Sequence, residues 1–391
     1  MAKEFVFKDF LRHTDPPLLE EYCKKENIDY KSKSGEKIEE AVKRFVGVWE
    51  GLENKKRYKV ELDFRTINDL TPQSGFLNLI AEAKQQSEKL PEQKLEEMGS
   101  HNASLWFFLN KPKIFDEASV RYEVEDTLGW KEIEAQKKGA DEVVNKETEL
   151  ANAVKDFLHG AEFRAGRCTA EYYKVNDLVC YVVYPEDWAD FDISYDTRDK
   201  LNKRLPRKPV FKIYFLYDPA TGRLSTKAKG GWKKTKEFQK IFASAILGQQ
   251  LDTSKDRVFD LNRLKDLNFG FPTPPEDGVK FVRVKLLRFS YPDASGRRIT
   301  LDLKGGERNG LEDMCEFINN LQIPLGQLNI SQVSIQVKFP QPSKGMKGEV
   351  TAHLTHPNSW DLGNKVLHRK VKTYLKNWGI DKGFSNATDT Q

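Results

Sequence analysis

The sequence predicts an α+β protein: an acidic, all-helical N-terminal domain followed by antiparallel sheets with covering helices. Three observations predict it. Residues 1–145 carry apolar side chains at helical spacing. From residue 150 onward, short runs alternate apolar and polar residues and are joined by turn-forming residues. Charge also changes sign between the two parts. Residues 1–150 hold 25 Lys+Arg against 31 Asp+Glu, a balance of −6, and the remainder holds 39 against 28, a balance of +11. Halves of opposite sign point to different partners for each, or partly to one another.

The chain of 391 residues is long enough for two or three domains, and its 38% hydrophobic content is enough to fill their cores. The composition predicts a helical domain over 1–145, an α+β domain with a basic hairpin and helix over 146–270, and a ββαββα domain over 275–380. A polar tail, 381–391, is expected to fray. Cys23, Cys168, Cys180 and Cys315 are scattered without a Cys-x-x-Cys pair and read as reduced, buried thiols of a cytoplasmic protein. The first ten residues are interrupted by charge and supply no signal-peptide core. The apolar run 103–109 is too short to span a bilayer, so no membrane partner is expected.

Each element has its own signal. Asp15 precedes Pro16 as a helix cap, and Ser34 is the next expected cap. After it, Ile38, Ala41, Val42, Phe45, Val46 and Trp49 fall on one helical face. Thr71-Pro72 opens a helix carrying Phe76, Leu79 and Ala83, with further helical pieces over 92–98, 102–109 and 113–136. Residues 58–70 fit strand or helix equally. The polar stretch 137–149 marks the expected domain boundary. A helix with Leu150, Val154, Phe157 and Leu158 follows. Strands 168–175 and 178–184 then meet at Asn176-Asp177, a two-residue hairpin turn. Residues 178–184 are apolar on both faces, as in a central strand. A second hairpin joins 210–217 to 224–229 across Asp218–Gly222, and a helix from Lys233 carries Phe238, Ile241, Phe242, Ala245 and Ile246. Further on, Val282, Val284 and Leu286 alternate with polar residues, as do Ile299 and Leu301, Val333, Ile335 and Val337, and Val350, Ala352 and Leu354. A helix over 309–321 intervenes, and a last helix carries Leu367, Val371, Tyr374, Leu375 and Trp378.

The strongest functional signal runs over residues 203–240, where twelve Lys or Arg face two acids, Asp218 and Glu237. Such a surplus is costly on one small surface unless a polyanion or an acidic partner neutralises it. Lys203, Arg204, Arg207 and Lys208 are expected in a loop, Lys227 and Lys229 at the end of a hairpin, and Lys233, Lys234 and Lys236 at a helix start. Positive charge there opposes the helix dipole and points to an external anion. Gly230 and Gly231 allow close approach of a phosphate backbone, and Trp232 is placed to stack on a base. On the last helix, Lys365, His368, Arg369, Lys372 and Lys376 share the face opposite the apolar stripe.

Other constellations carry less. His353 and His356 lie three apart on a strand, where they point to opposite faces, so no metal site is expected. Glu171 and Lys174, the nearest approach to the acid and lysine of a nuclease, are likewise split, so a metal-dependent nuclease would be built on Glu171 or on the acids Glu186, Asp187, Asp190 and Asp192. No phosphate-binding loop, dinucleotide fingerprint or nucleophile elbow occurs, and no cofactor is expected. Ser34-Gly-Glu-Lys37 reads as a helix start. The expectation is therefore a non-catalytic protein that binds the phosphate backbone of DNA or RNA through Lys203, Arg204, Arg207, Lys208, Lys227, Lys229, Trp232, Lys233, Lys234, Lys236, Arg369 and Lys372. The alternative is a protein-interaction subunit whose basic surface docks an acidic protein while the acidic helical domain holds another partner; a metal-dependent nuclease comes third.

Overall fold

The computed structural model describes residues 5–33, 35–195, 200–252, 255–292, 296–303, 310–341 and 348–386. The expected cap Ser34 and the last five residues of the expected tail lie outside them. The chain is α+β, as its patterning predicts, and divides into a helical unit that ends at Glu125 and an α+β unit from Asp126 on.

The helical unit contains α1 (Phe7–Arg12), α2 (Pro16–Lys25), α3 (Ile38–Glu50), α4 (Asn54–Asp69), α5 (Gln73–Gln85), α6 (Glu92–Asn110) and α7 (Pro112–Asp126, whose last residue begins the next unit). Residues 58–70, ambiguous in the sequence, fall in α4 because Val60, Phe64 and Ile67 recur at helical spacing and are buried. The two pieces expected over 92–98 and 102–109 lie either side of a break at Gly99, whose φ of 74° is unstrained only for glycine. Asp15 occupies the N-cap position of α2 but makes no side-chain capping bond; its own amide donates to Asn102 Oδ1 at 2.8 Å. Phe10, Tyr22, Phe45, Phe64 and Phe107 form the core. Helix is expected as far as residue 136, but it stops at Asp126. Residues Lys131–Glu134 instead form β1, antiparallel to Arg223–Lys227.

The second unit holds two five-stranded antiparallel sheets. The first contains β1, β2 (Cys168–Val175), β3 (Leu178–Pro185), β6 (Ile213–Asp218) and β7 (Arg223–Lys227) in the order β1-β7-β6-β3-β2. Asn176, at φ 57°, turns β2 into β3 so that Val175 pairs with Leu178. The face bearing Tyr181, Phe215 and Tyr217 is covered by α8 (Glu147–Glu162) and α9 (Gly231–Phe242), through Val154, Leu158, Phe238 and Phe242. The polar stretch 137–149 is tied to this sheet, since Lys138 N donates to Tyr217 Oη and Tyr181 Oη donates to Val143 O. Between β3 and β6 the chain leaves the sheet as a separate two-stranded ribbon, β4 (Asp190–Tyr195) and β5 (Leu201–Arg207).

The second sheet has the order β10-β9-β11-β12-β13, from β9 (Phe281–Ser290), β10 (Arg298–Asp302), β11 (Asn329–Lys338), β12 (Glu349–Thr355) and β13 (Ser359–Trp360). The alternation Val333, Ile335, Val337 and Val350, Ala352, Leu354 faces the core, under α10 (Gly310–Asn320) and α11 (Val366–Asn377). On β9 the register slips between Val284 and Leu286, so the buried set passes from Val284 to Leu287 and Phe289, and Leu286 is only half-buried. A bulge turns every later side chain over, which simple alternation does not anticipate. The expected fraying tail is ordered through Asn386: β14 (Asp381–Asn386) pairs with β8 (Lys255–Phe259).

Candidate functional site

The basic stretch divides between two elements, β5 and the start of α9. Lys203, Arg204 and Arg207 lie on β5, a strand where a loop is expected, and Lys208 follows it directly. Every residue of β5 is exposed. Pairing with β4 brings acids across to Arg207 alone among the described residues of β5: its Nε lies 3.0 Å from Asp192 Oδ1, and its Nη2 lies 3.5 Å from Asp190 Oδ2. Lys208 Nζ lies 3.3 Å from Glu186, which also takes Arg167 at 2.9 Å. Arg167 and then Lys208 hold the Glu186 carboxyl below its ordinary range. Burial raises Asp187, but Arg164 at 2.9 Å and the Trp188 amide outweigh it and leave it lowered. Lys229 Nζ also reaches Asp187, at 3.6 Å. The acids considered for a nuclease are therefore counter-charges of three of the expected phosphate contacts, Arg207, Lys208 and Lys229. Over residues 186–212 seven basic side chains meet six acidic ones.

The start of α9 is different. Over residues 223–240 seven Lys or Arg meet one acid, Glu237. Gly230 and Gly231 turn into the helix at φ 114° and 80°, and no side chain caps it. Its first turn holds no acid, and Lys233 is exposed with no ion-pair partner among the described residues. Lys234 is the least available lysine, since it is turned onto Glu162 of α8. Lys227 is spent on a backbone contact, donating to Leu128 O at 2.8 Å. Trp232 is half-buried, with Lys236 Nζ 4.9 Å and Lys131 Nζ 5.5 Å from its ring centroid. Two ammonium groups near one indole concentrate positive charge around a flat ring.

The basic face expected on the last helix loses Lys372, while Lys376 stays exposed. Lys372 is buried at 6% exposure, with Nζ 2.9 Å from Glu132 Oε1 of β1 and 4.8 Å from the Trp360 ring centroid. It is withdrawn from any surface. Arg257 Nη2 lies 2.7 Å from Glu132 Oε2, off the hydrogen-bond axis, and its Nη1 bonds Asp381 Oδ2 at 2.7 Å. Burial alone would raise Glu132, yet Lys372, Arg257 and Arg223 pull it down to about 2. The helix periodicity misleads because α11 packs on two sides: Val371, Tyr374 and Leu375 enter the second core, and Lys372 on its flank meets β1. Lys365 pairs with Asp126, Lys370 with Asp277, and His368 Nδ1 accepts the Gly363 amide. Arg369 remains half-buried.

The remaining candidates have structural partners. His353 Nδ1 meets Ser334 Oγ at 2.5 Å and its amide donates to Asp361, whereas His356 Nδ1 faces Phe259 O at 3.2 Å. Glu171 accepts from Tyr173 Oη at 2.6 Å.

Two apolar surfaces are not singled out from the sequence. On β4, Phe191, Ile193 and Tyr195 are 56%, 66% and 70% exposed, although their alternation with Asp190, Asp192 and Ser194 is an ordinary strand signal. In the helical unit a groove of about 830 Å³ is lined by Phe7, Val46, Trp49, Tyr58 and Leu62. Among the described residues no helix is long and apolar enough to cross a membrane. A scan against protein-family models matched none, and a search of curated proteins found no similar sequence.

Proposed function

We propose that this chain binds the phosphate backbone of nucleic acid, without catalysis, through the surface around the start of α9. The observation that carries this reading is the helix start itself: twelve residues long, uncapped, without an acid in its first turn, behind two glycines and beside Trp232 with its two lysines. A phosphate placed there would receive backbone N–H groups from the helix end and charge from Lys229, Lys233 and Lys236. Trp232 would offer one face to a base. No base-reading element accompanies the surface, so the reading is of binding without sequence preference. Relative to the sequence expectation, the contact set narrows to Lys229, Trp232, Lys233 and Lys236, with Lys227 and Lys234 at its edge, and gains Lys131 beside the Trp232 ring.

The test is fluorescence anisotropy of labelled single- and double-stranded oligonucleotides between about 50 and 200 mM salt. The expected result is binding that weakens with salt, with a log–log slope of about −0.7 to −0.9 per phosphate neutralised. A variant with Lys229, Lys233 and Lys236 changed to Ala should bind more weakly and with a slope smaller by about 2 to 3. Salt-independent binding, or a variant indistinguishable from the parent, would overturn the proposal.

A further inference from the structure

The β4–β5 ribbon has two unlike faces, and its register assigns them. Asp190 pairs with Arg207 and Asp192 with Leu205, which places these four side chains on one side. Phe191 pairs with Pro206 and Tyr195 with Leu201, which places them on the other, together with Ile193. The register slips between Asp192 and Ser194, so two residues of β5, Lys203 and Arg204, stand opposite Ile193. Counting the alternation inward from Asn202 and from Leu205 puts both on the apolar side. The ion pairs of Arg207 therefore occupy one face. The other carries a row of exposed apolar side chains and two exposed cations without an ion-pair partner among the described residues.

We infer that this apolar, cation-edged face of the ribbon docks another protein, whose contact surface sets apolar side chains among carboxylates. The inference does not depend on the nucleic-acid reading of α9. Four large apolar side chains exposed together on a two-stranded ribbon form a patch that aqueous surfaces rarely leave uncovered. The charges decide among occupants. A second copy of the same face would bring Lys203 and Arg204 of each chain into one contact with no acid among the described residues of the ribbon, because Asp190 and Asp192 lie on the far side and are held by Arg207. Nucleic acid would meet the two cations but would leave Phe191, Ile193 and Leu201 against a polyanion, on an arm whose sequence is close to neutral. An acidic, partly apolar protein surface satisfies both features.

The test immobilises the full chain and selects from a library of random linear peptides displayed on phage, in parallel with Ile193→Asp and with Lys203→Glu/Arg204→Glu. Enriched peptides should combine apolar residues with Asp and Glu. Synthesised and measured by anisotropy, they should lose about tenfold or more in affinity for Ile193→Asp, as loss of a central apolar anchor does. The charge-reversed chain should select peptides with Lys and Arg in place of the acids. Ile193 is mostly solvent-exposed, and an unchanged thermal unfolding curve for each variant shows that the fold is retained. Three outcomes overturn the inference: enriched peptides indifferent to both variants, a wild-type dimer that Ile193→Asp dissociates in sedimentation velocity, or oligonucleotide affinity that depends on Lys203 and Arg204.

Discussion

The β5 strand and the start of α9 read alike along the chain, each a dense run of Lys and Arg, but in the fold they differ. On β5 the antiparallel ribbon brings Asp190 and Asp192 onto Arg207, and Glu186 lies on Lys208. At the start of α9 Glu162 takes Lys234 and Asp187 lies 3.6 Å from Lys229, while Lys233 has no ion-pair partner among the described residues. A helix start has no partner strand, so its charges meet only what neighbouring elements supply. The difference teaches that a charge run on a strand must be judged with the strand it pairs, whereas a run at a helix start is closer to what it seems.

The largest contrast lies further along the chain, at Lys372, which is grouped with the surface lysines by sequence but buried against Glu132 by the fold. Glu132→Gln would leave Lys372 and Arg257 enclosed without their shared carboxylate. Urea denaturation should show a loss of about 3–5 kcal/mol, the range for breaking a buried pair by removing one partner. The same measurement against pH carries a sign. Glu132 lies near 2 in the fold against an ordinary 4.5, so its contribution is complete above pH 4.5 and is lost as pH falls toward 2. The Gln variant should lack that part of the acid limb. A variant as stable as the parent would mean that the cluster contributes nothing to the fold.

Next in size is the test that separates the two basic runs. Changing Lys229, Lys233 and Lys236 to Ala should lower oligonucleotide affinity at low salt by about 10- to 100-fold, while Lys203→Ala/Arg204→Ala changes it less than about threefold. Equal losses from the two variants would erase the distinction and restore a single phosphate surface.

The fold was more legible than the site. Both hairpins of the first sheet, the helical N-terminal unit and the inward rows of β11 and β12 follow from periodicity and turn residues, which act over a few positions. What escaped depends on distant partners. Residues 131–134 look helical until Arg223–Lys227 offers an edge. The segment 381–386 looks like a tail until Lys255–Phe259 pairs with it. Lys372 looks solvated until a carboxylate 240 positions away closes on it. The sites suffer most because charge pairing across the fold is set by tertiary contacts, and no local spacing announces it. The apolar side of the ribbon is legible in the sequence, since Phe191, Ile193 and Tyr195 alternate plainly with Asp190, Asp192 and Ser194.

The smallest effect tests the argument most directly. If Asp190 and Asp192 are what keep β5 from acting as a phosphate surface, then Asp190→Asn/Asp192→Asn should release Arg207 while leaving the strand and its shape in place. The ribbon sequence would change from one net positive charge to three. Oligonucleotide affinity at low salt should rise about threefold, with a steeper salt slope, because the non-specific term follows the local charge available to phosphate. Stability should shift by no more than about 0–1 kcal/mol for either pair, since all three side chains are roughly half exposed and such pairs contribute little. Unchanged affinity would show that the ribbon avoids nucleic acid for another reason, such as the apolar row on its other face. The acids across from β5 would then be only solubilising charge.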